Sequence, residues 1–258
     1  PVDFAPTGPA RMPHDDPRRR NPLKEQHPEW TVPCWWPQGL WNLANPEVRD
    51  RKVAILRELL QHYALDGIQL DFARHTPCLP TGREWELRGE LTEFVRNVRD
   101  MMLDIEIDTG HPRLLAVRVG ETIEGNHRDG LDVETWIGEE LVDILNLGGR
   151  TTTVDVAAFE VLTGQTQVRL CASFDGHHTT DGYYFPDDAY LRGVFTNFFH
   201  QGVDFVSLFN WACASPDRYD HLGLPSMMKC PQHSQATREV GSLDTMADRD
   251  RTYAVERR

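Results

Sequence analysis

The sequence lacks features that would define several classes of protein. Its five cysteines are widely spaced along 258 residues and include no Cys-x-x-Cys pair, so no zinc framework is recognisable. An odd number of cysteines also does not indicate a disulfide scaffold, which leaves the redox compartment open. No apolar run reaches the length of a transmembrane helix. We therefore expect neither a bound metal or other cofactor nor a membrane span.

Positive charge is also scarce. The chain has 27 Lys and Arg residues against 40 Asp and Glu residues, which gives a formal net charge of -13. A nucleic-acid-binding surface needs clustered Lys and Arg to neutralise phosphates, so the composition excludes a nucleic-acid partner. The arginines at residues 18–20 lie in a Pro-rich polar stretch, and we interpret them as part of a solvated loop.

The first 39 residues show no sustained hydrophobic period. They are rich in Pro, Arg, His and Asp, and they predict a long, loop-rich segment of the kind that is uncommon in a compact domain unless it is functional. The chain begins at Pro1 rather than at a methionine. We therefore expect a processed or truncated N terminus, and the absence of a signal peptide carries no weight.

Strand and helix patterns alternate from residue 40 onwards, and 40% of the residues are apolar, enough for a sizeable core. Helix starts are expected at Asn45, at a capping box over residues 81–84, at Asp132, near Val154 and at Asp187. Five strands are expected at 66–73, 113–119, 141–147, 167–174 and 203–209, with a weaker one at 40–44.

This alternation predicts an α/β fold with parallel strands, built as a (β/α)8 TIM-type barrel. A complete barrel has eight strands, so we expect an incomplete one that contains about strands three to eight. Residues 40–214 would form its core. Residues 215–258 are polar with little pattern, and they are expected to be a tail or the lead-in to a further domain.

The first candidate site residue is Asp71, in the stretch DGIQLDFARH at residues 66–75. Side chains alternate along a strand, so Asp71 faces away from Leu70 and Phe72, into the expected barrel mouth. Arg74 follows at three residues and is expected to hold the carboxylate ionised, as suits a nucleophile. A purely structural Asp–Arg pair stays open as an alternative.

The second candidate is Glu121, just past the strand RLLAVRV at residues 113–119. A partly shielded Glu at a strand end suits a general acid and base, although a solvated loop carboxylate is the alternative. Cleavage of a glycosidic bond by the common mechanisms needs two carboxylates, so the pair is more informative than either residue alone.

Polar and aromatic side chains follow the later strands. We expect Asn146, His177 and Asn210 to bind sugar hydroxyls together with Arg74 and His75, and we take Asp175 as a third catalytic carboxylate. Trp211 is either a stacking platform for a sugar face or part of the rim packing. Trp41 lies near Pro and Gly residues, and it is either a sugar platform or core packing. A metal-dependent hydrolase that uses Asp71, His75 and His177 is a weaker alternative, because these residues form no recognisable ligand motif.

Two stretches of sequence carry a family resemblance. Residues 41–49, WNLANPEVR, and 66–75, DGIQLDFARH, resemble the α-amylase superfamily, in which the second Asp of the fourth-strand motif is the nucleophile. The chain is more similar still to bacterial glycosyl-hydrolase-like (family-ten-type) TIM-barrel proteins, which share the HPEW of residues 27–30. The resemblance covers roughly residues 12–211.

This resemblance implies roles for several positions. Asp71 would end the fourth strand as nucleophile, Glu121 would follow the fifth as acid/base, and residues 203–209 would form the eighth strand. Gln69 departs from the pattern, since a charged residue is usual there, and the Asn-His-Asp motif after the seventh strand is replaced at residues 175–177 by Asp-Gly-His. The resemblance also favours a secreted or periplasmic location.

The sequence therefore predicts a retaining glycoside hydrolase that acts on a poly- or oligosaccharide. A non-catalytic carbohydrate-binding barrel is the alternative, because a fold does not by itself imply activity. The sugar, its linkage and the oligomeric state do not follow from the sequence.

Overall fold

The structure is a computed structural model, and it describes residues 20–34, 36, 38–148, 151, 153–175, 187–209, 235 and 238–253. Within these ranges no helix has the length and apolarity needed to cross a bilayer. The helices are α1 Pro22–Gln26, α2 Pro46–His62, α3 Arg88–Thr109, α4 Ile123–Arg128, α5 Val133–Gly138, α6 Val156–Thr163, α7 Asp188–His200 and α8 Leu243–Met246. The strands are β1 Thr31–Val32, β2 Leu40–Trp41, β3 Gly67–Asp71, β4 Leu114–Val119, β5 Ile144–Leu147, β6 Arg169–Asp175 and β7 Phe205–Phe209.

Strands β3 to β7 form one sheet in sequence order, β3-β4-β5-β6-β7. Strand β6 pairs in parallel with both β5 and β7. Helices separate these strands along the chain, because each parallel pairing requires a crossover connection. The predicted fold class, an incomplete (β/α)8-type barrel, is confirmed.

The weak strand predicted at residues 40–44 has a different partner. It is shortened to β2, which pairs antiparallel with β1 in a separate two-stranded sheet, with Thr31 opposite Trp41. The five strands that were predicted with a clear pattern are the five strands of the parallel sheet.

The chain divides into two compact units, and each is described by itself. The first comprises residues 1–117 and 124–142, and the second comprises residues 118–123 and 143–258. Most of β4 belongs to the first unit, and its last two residues belong to the second.

In the first unit, β3 presents its apolar face to α3 and α5. Leu70 and Phe72 are buried, and the Phe72 ring lies 6.5 Å from Phe94 and 5.5 Å from Trp136. Burying such side chains stabilises the fold by roughly 1.5–3 kcal/mol each. The strand begins with Gly67, because a Cβ there would lie only 2.1 Å from the carbonyl oxygen of Leu114 on β4. Glycine is what permits this close approach of backbones.

In the second unit, α7 covers one face of β6. The Phe174 ring lies 6.3 Å from Tyr190 and 6.1 Å from Phe195. Ser173 points to the opposite face because side chains alternate along a strand. It is fully buried there.

Two further segments near the N terminus and before α3 differ from the sequence-based expectation. The capping box at residues 81–84 is wrong: α3 begins at Arg88 without a side-chain cap. The Glu84 carboxylate instead accepts the backbone N–H of Gly82 at 2.7 Å, which uses it in a turn before the helix. Residues 20–39, expected as loop, contain α1, a short 3-10 helix at Pro28–Trp30, and β1.

The polar C-terminal stretch also contains packed residues. Met246 of α8 is fully buried, and Arg192 of α7 pairs with the buried Glu239 at 2.7 Å. A Cβ at Gly193 would lie 2.1 Å from the carbonyl oxygen of Thr252, so this segment approaches α7 closely. The domain boundaries at residues 39/40 and 214/215 stay a prediction, and residues 210–234 lie outside the described ranges.

Candidate functional site

A cavity of about 500 Å³ opens in the first unit at the carboxyl end of β3. Its volume lies within the roughly 300–1,000 Å³ of typical small-molecule sites. Four of the predicted site residues line it together: Trp41, Asp71, Arg74 and His75. Helix α2 supplies much of the remaining wall.

Asp71 is the last residue of β3 and is half-buried. One of its carboxylate oxygens accepts the backbone N–H of Arg74 at 3.0 Å, a contact that fixes the turn leaving the strand. The structure thus shows an Asp–Arg contact through the Arg74 backbone, and Arg74 is also one of the residues that line the cavity. Gln69, two residues earlier on the same face, also lines the cavity.

The aromatic residues at the cavity are held by polar and charged neighbours. Trp41 is only 9% exposed, and the ammonium groups of Lys24 and Lys52 lie 4.9 and 5.0 Å from its ring centroid. Trp30 donates its indole N–H to Glu47 at 2.9 Å. These contacts place Trp41 in the wall as a packed residue, and its role as a sugar platform stays a prediction.

Part of the cavity lining is apolar. Leu56 and Leu59 of α2 line it together with Leu70 of β3. Cys78 also lies in the wall, where burial raises the pKa of its thiol to about 12. The thiol therefore stays protonated near neutral pH, and Cys78 is unsuited to act as a nucleophile.

Glu121 lies in the second unit, two residues after β4, and is half-buried. Its backbone carbonyl accepts the N–H of Asp155 at 3.0 Å. Gly148, which has a φ of +73°, lies beside the side chain: a Cβ at that position would be 3.1 Å from Glu121 Cγ. Gly148 thus leaves room for the Glu121 side chain, a relation that the sequence pattern did not reveal.

The second unit contains a buried polar row, formed by Arg118, Asn146 and Ser173. Ser173 donates its hydroxyl to the side-chain oxygen of Asn146 at 2.8 Å, and Asn146 is only 3% exposed. The Arg118 guanidinium lies 3.6 Å from the Phe209 ring centroid and donates to the carbonyl of Gly148 at 3.4 Å. Asn146 was predicted to bind sugar, a role that stays a prediction beside this buried contact.

Sequence reasoning missed Arg118 and Ser173. The alternation along β4 was an available signal, since Arg118 lies between two buried valines on the opposite face. The stacking partner of Arg118, by contrast, lies about ninety residues further along the chain and could not be read from any local pattern.

The remaining predicted site residues either lie outside the described ranges or belong to different units. Asp175 ends β6, but its side chain lies outside the described residues, as do His177, Asn210 and Trp211. Asp71 belongs to the first unit and Glu121 to the second, and their pairing stays a prediction. Among the residues that the structure describes, no group of three or more His, Cys, Asp or Glu side chains is arranged to hold a metal ion.

No family model matches the sequence, and no curated protein sequence matches it either. Solved structures do match the fold. A chitinase from Paenibacillus sp. str. FPU-7, part of a multi-modular cell-surface enzyme, is similar with a TM-score of 0.50 and 12% identity over 68% of this chain and 30% of that one. Catalytic domain 2 of the Group II chitinase of Ostrinia furnacalis is similar with a TM-score of 0.50 and 11% identity over 76% of this chain and 72% of that one.

A third similar structure is a family 18 N-acetylglucosaminidase from Paenibacillus barengoltzii, with a TM-score of 0.48, 14% identity and coverage of 76% of this chain and 82% of that one. The chain spans less than a third of the length of the Paenibacillus sp. str. FPU-7 chitinase. None of these structures is described as an α-amylase or as a family-ten enzyme, so that part of the resemblance stays a prediction. At these identities the likeness establishes the fold alone, an incomplete (β/α) barrel similar to that of these chitinases.

Proposed function

We propose that the protein is a retaining glycoside hydrolase that cleaves a poly- or oligosaccharide. The observation that carries the proposal is the position of Asp71, at the carboxyl end of β3 and in the wall of a cavity of about 500 Å³. Reacting groups of (β/α) barrel enzymes gather at this end of the strands.

In this proposal Asp71 is the nucleophile. Its carboxylate attacks the anomeric carbon, and the bond from that carbon to the leaving oxygen breaks as the sugar becomes esterified to Asp71. The backbone N–H of Arg74 orients the carboxylate, since it donates to one of its oxygens at 3.0 Å. Gln69 and His75, in the same wall, are placed to bind hydroxyl groups of the sugar.

Glu121 is the proposed acid and base. It gives its proton to the leaving oxygen, then takes a proton from the water that hydrolyses the ester, which returns both carboxyl groups to their starting states. The support is topological, because Glu121 follows β4, the neighbour of β3 in the sheet. A retaining mechanism requires the two carboxyl groups to lie about 5–5.5 Å apart during the reaction.

The sequence resemblance and the fold likeness support the same class at different levels. Residues 41–49 and 66–75 resemble the α-amylase superfamily and the family-ten-type proteins. Two chitinases share the fold at a TM-score of 0.50. Because a fold hosts many specificities, these relations define the panel of glycans to test: chitin, α-glucans and the acidic polysaccharides considered below.

The test is a screen of this panel by release of reducing ends, with Asp71→Asn and a matched variant, Asp66→Asn. Asp66 lies just before the same strand and is exposed. We expect at least one glycan to be cleaved, with a loss of at least about 10³-fold in Asp71→Asn, as for other catalytic nucleophiles, and little change in Asp66→Asn. Cleavage that survives in Asp71→Asn would overturn the assignment.

A non-catalytic sugar-binding protein is the second candidate. It is favoured by one observation: the described residues that line the cavity all belong to the first unit, so that unit alone supplies a concave surface for a sugar. Retained glycan binding together with no release of reducing ends from any member of the panel would support it.

A further inference from the structure

The charge of the cavity is opposite to that of the chain. The whole sequence has 40 acidic residues against 27 basic ones. Among the residues that the structure describes, the cavity wall instead contains three cationic residues, Arg51, Lys52 and Arg74, and one acidic residue, Asp71. A concave surface lined by one sign of charge concentrates ligands of the opposite sign, because the protein around it has a low dielectric constant.

Two of these cations lie on helix α2. Arg51 and Lys52 are consecutive residues near the start of α2, with Arg51 exposed and Lys52 half-buried. The Lys52 ammonium lies over the Trp41 ring at 5.0 Å, and the buried Lys24 lies 4.9 Å from the same ring. Lys24 is fixed there by donating to the carbonyl of Gly39 at 2.9 Å.

Other arginines of α2 have acidic partners and do not line the cavity. Arg49 binds the carboxylate of Glu90 at 2.7 Å, and Arg57 lies 3.6 Å from that of Asp104. Arg51 and Lys52 are thus the residues of α2 that add positive charge to the described cavity wall, and Arg57 on the same helix can serve as a control outside it.

We propose that the cavity binds an anionic sugar, one that carries a carboxylate or a sulfate ester on the residue bound beside Asp71. A guanidinium such as that of Arg74 can bind a carboxylate or sulfate through two parallel hydrogen bonds, and the ammonium of Lys52 adds a point charge. The leucines of the cavity lining suit the apolar C–H face of a sugar ring, while Gln69 suits its hydroxyls. This inference rests on the proposed function, because that function locates the substrate beside Asp71. An anionic sugar differs from the neutral polymer that a chitinase cleaves.

The test is calorimetric binding of matched glycans to the intact chain. One pair is an oligogalacturonate and its methyl ester, and the other is a carrageenan oligosaccharide and its desulfated form. We expect one acidic member to bind at least about tenfold more tightly than its neutral counterpart, as charge-assisted hydrogen bonds allow. The pair that shows the difference identifies the anion, and its affinity falls as salt is added.

Variants on α2 show whether this wall is responsible. Arg51→Gln is an exposed substitution that should leave the fold intact, and Lys52→Arg keeps the charge as a conservative counterpart to Lys52→Gln. We expect Arg51→Gln and Lys52→Gln each to weaken binding of the acidic glycan several-fold, with recovery in Lys52→Arg. Arg57→Gln, on the same helix but outside the cavity, should bind as the wild type does.

Two results would overturn the inference: equal binding of acidic and neutral forms, or equal binding by the Arg51→Gln and Arg57→Gln variants. Failure of the proposed function gives a different result. Tight binding of an acidic glycan that is never cleaved supports the anionic ligand and contradicts the hydrolase. Cleavage of a neutral glycan, with no preference for an acidic one, supports the hydrolase and contradicts the anionic ligand.

Discussion

The two units place polar side chains very differently. In the first unit, Asp71, Arg74 and His75 are half-buried and line an open cavity. In the second unit, Arg118 is 1% exposed and contacts the Phe209 ring and the backbone carbonyl of Gly148, while Ser173 is fully buried and donates a hydrogen bond to Asn146. Strands of one sheet thus carry both arrangements.

This difference predicts that the polar side chains of the first unit serve ligand binding and that the buried ones of the second unit serve stability. A half-buried polar group that faces a cavity can exchange water for a ligand, so its removal should impair function more than folding. A fully buried polar group must be paired inside the protein, since an unpaired one costs about 1–3 kcal/mol. Substitutions in the two regions should therefore give different phenotypes, and the following experiments test that separation.

The largest expected effect is on turnover, from Glu121→Gln. Glu121 is the half-buried carboxylate of the second unit, and removal of a general acid and base typically lowers the rate about 10²–10⁴-fold. Glu124→Gln is the matched control, because its side chain is 84% exposed and only three residues away. Steady-state kinetics that show equal losses in the two variants would contradict the role of Glu121.

A buried ion pair in the second unit should control its stability. Arg192 and Glu239 lie 2.7 Å apart, with side chains 10% and 9% exposed. Loss of one partner of a buried pair costs about 3–5 kcal/mol. The loss of stability in Glu239→Gln should lie at the lower end of this range, because Asp188 remains 3.8 Å from Arg192. Asp104→Asn, in an exposed pair, should cost no more than about 1 kcal/mol.

The same pair predicts a dependence of stability on pH. Hydrogen bonds from Gln235 and Arg192 lower the pKa of Glu239, so the folded state binds that proton less tightly than the unfolded state. The stabilisation is complete above the unfolded pKa of about 4.3 and is lost as the pH falls through the folded value. Thermal unfolding of wild type and Glu239→Gln should therefore differ at pH 7 and converge in acid. A difference that grows in acid would contradict this.

The smallest expected effect is from Ser173→Ala. The substitution removes the donor to Asn146 and should lower the free energy of unfolding by about 1–3 kcal/mol, with KM unchanged. Ser207→Ala is the control, because Ser207 lies opposite Ser173 in the register of β7 and is half-buried, and it should change stability by about 0.5 kcal/mol or less. A raised KM in Ser173→Ala would place the buried polar row in the binding site.

Local signals in the sequence predicted the elements well. Asn45 accepts the N–H of Glu47 at 2.9 Å and Asp187 accepts that of Tyr190 at 2.8 Å, so both predicted helix starts are confirmed. Such caps involve residues two or three apart and can be recognised without tertiary contacts. The capping box predicted at residues 81–84 was wrong, because the Glu84 carboxylate accepts the N–H of Gly82 in a turn instead.

The site was only partly predictable, because it depends on contacts between distant residues. Asp71 could be found from its place at a strand end. Arg51 and Lys52 of α2 line the cavity together with residues of β3, which follows about twenty residues later in the sequence. No spacing rule indicates which side of α2 faces the cavity. The room that Gly148 leaves for Glu121 likewise depends on two separate strand ends coming together.

The covalent intermediate offers the most direct test of the account. A fluorinated glycoside, built on the sugar that the glycan panel identifies, would slow hydrolysis of the ester and allow the labelled peptide to be mapped by mass spectrometry. The account predicts one sugar per chain, attached to the carboxylate of Asp71. A label on any other residue, or turnover that releases a product of inverted anomeric configuration, would contradict it.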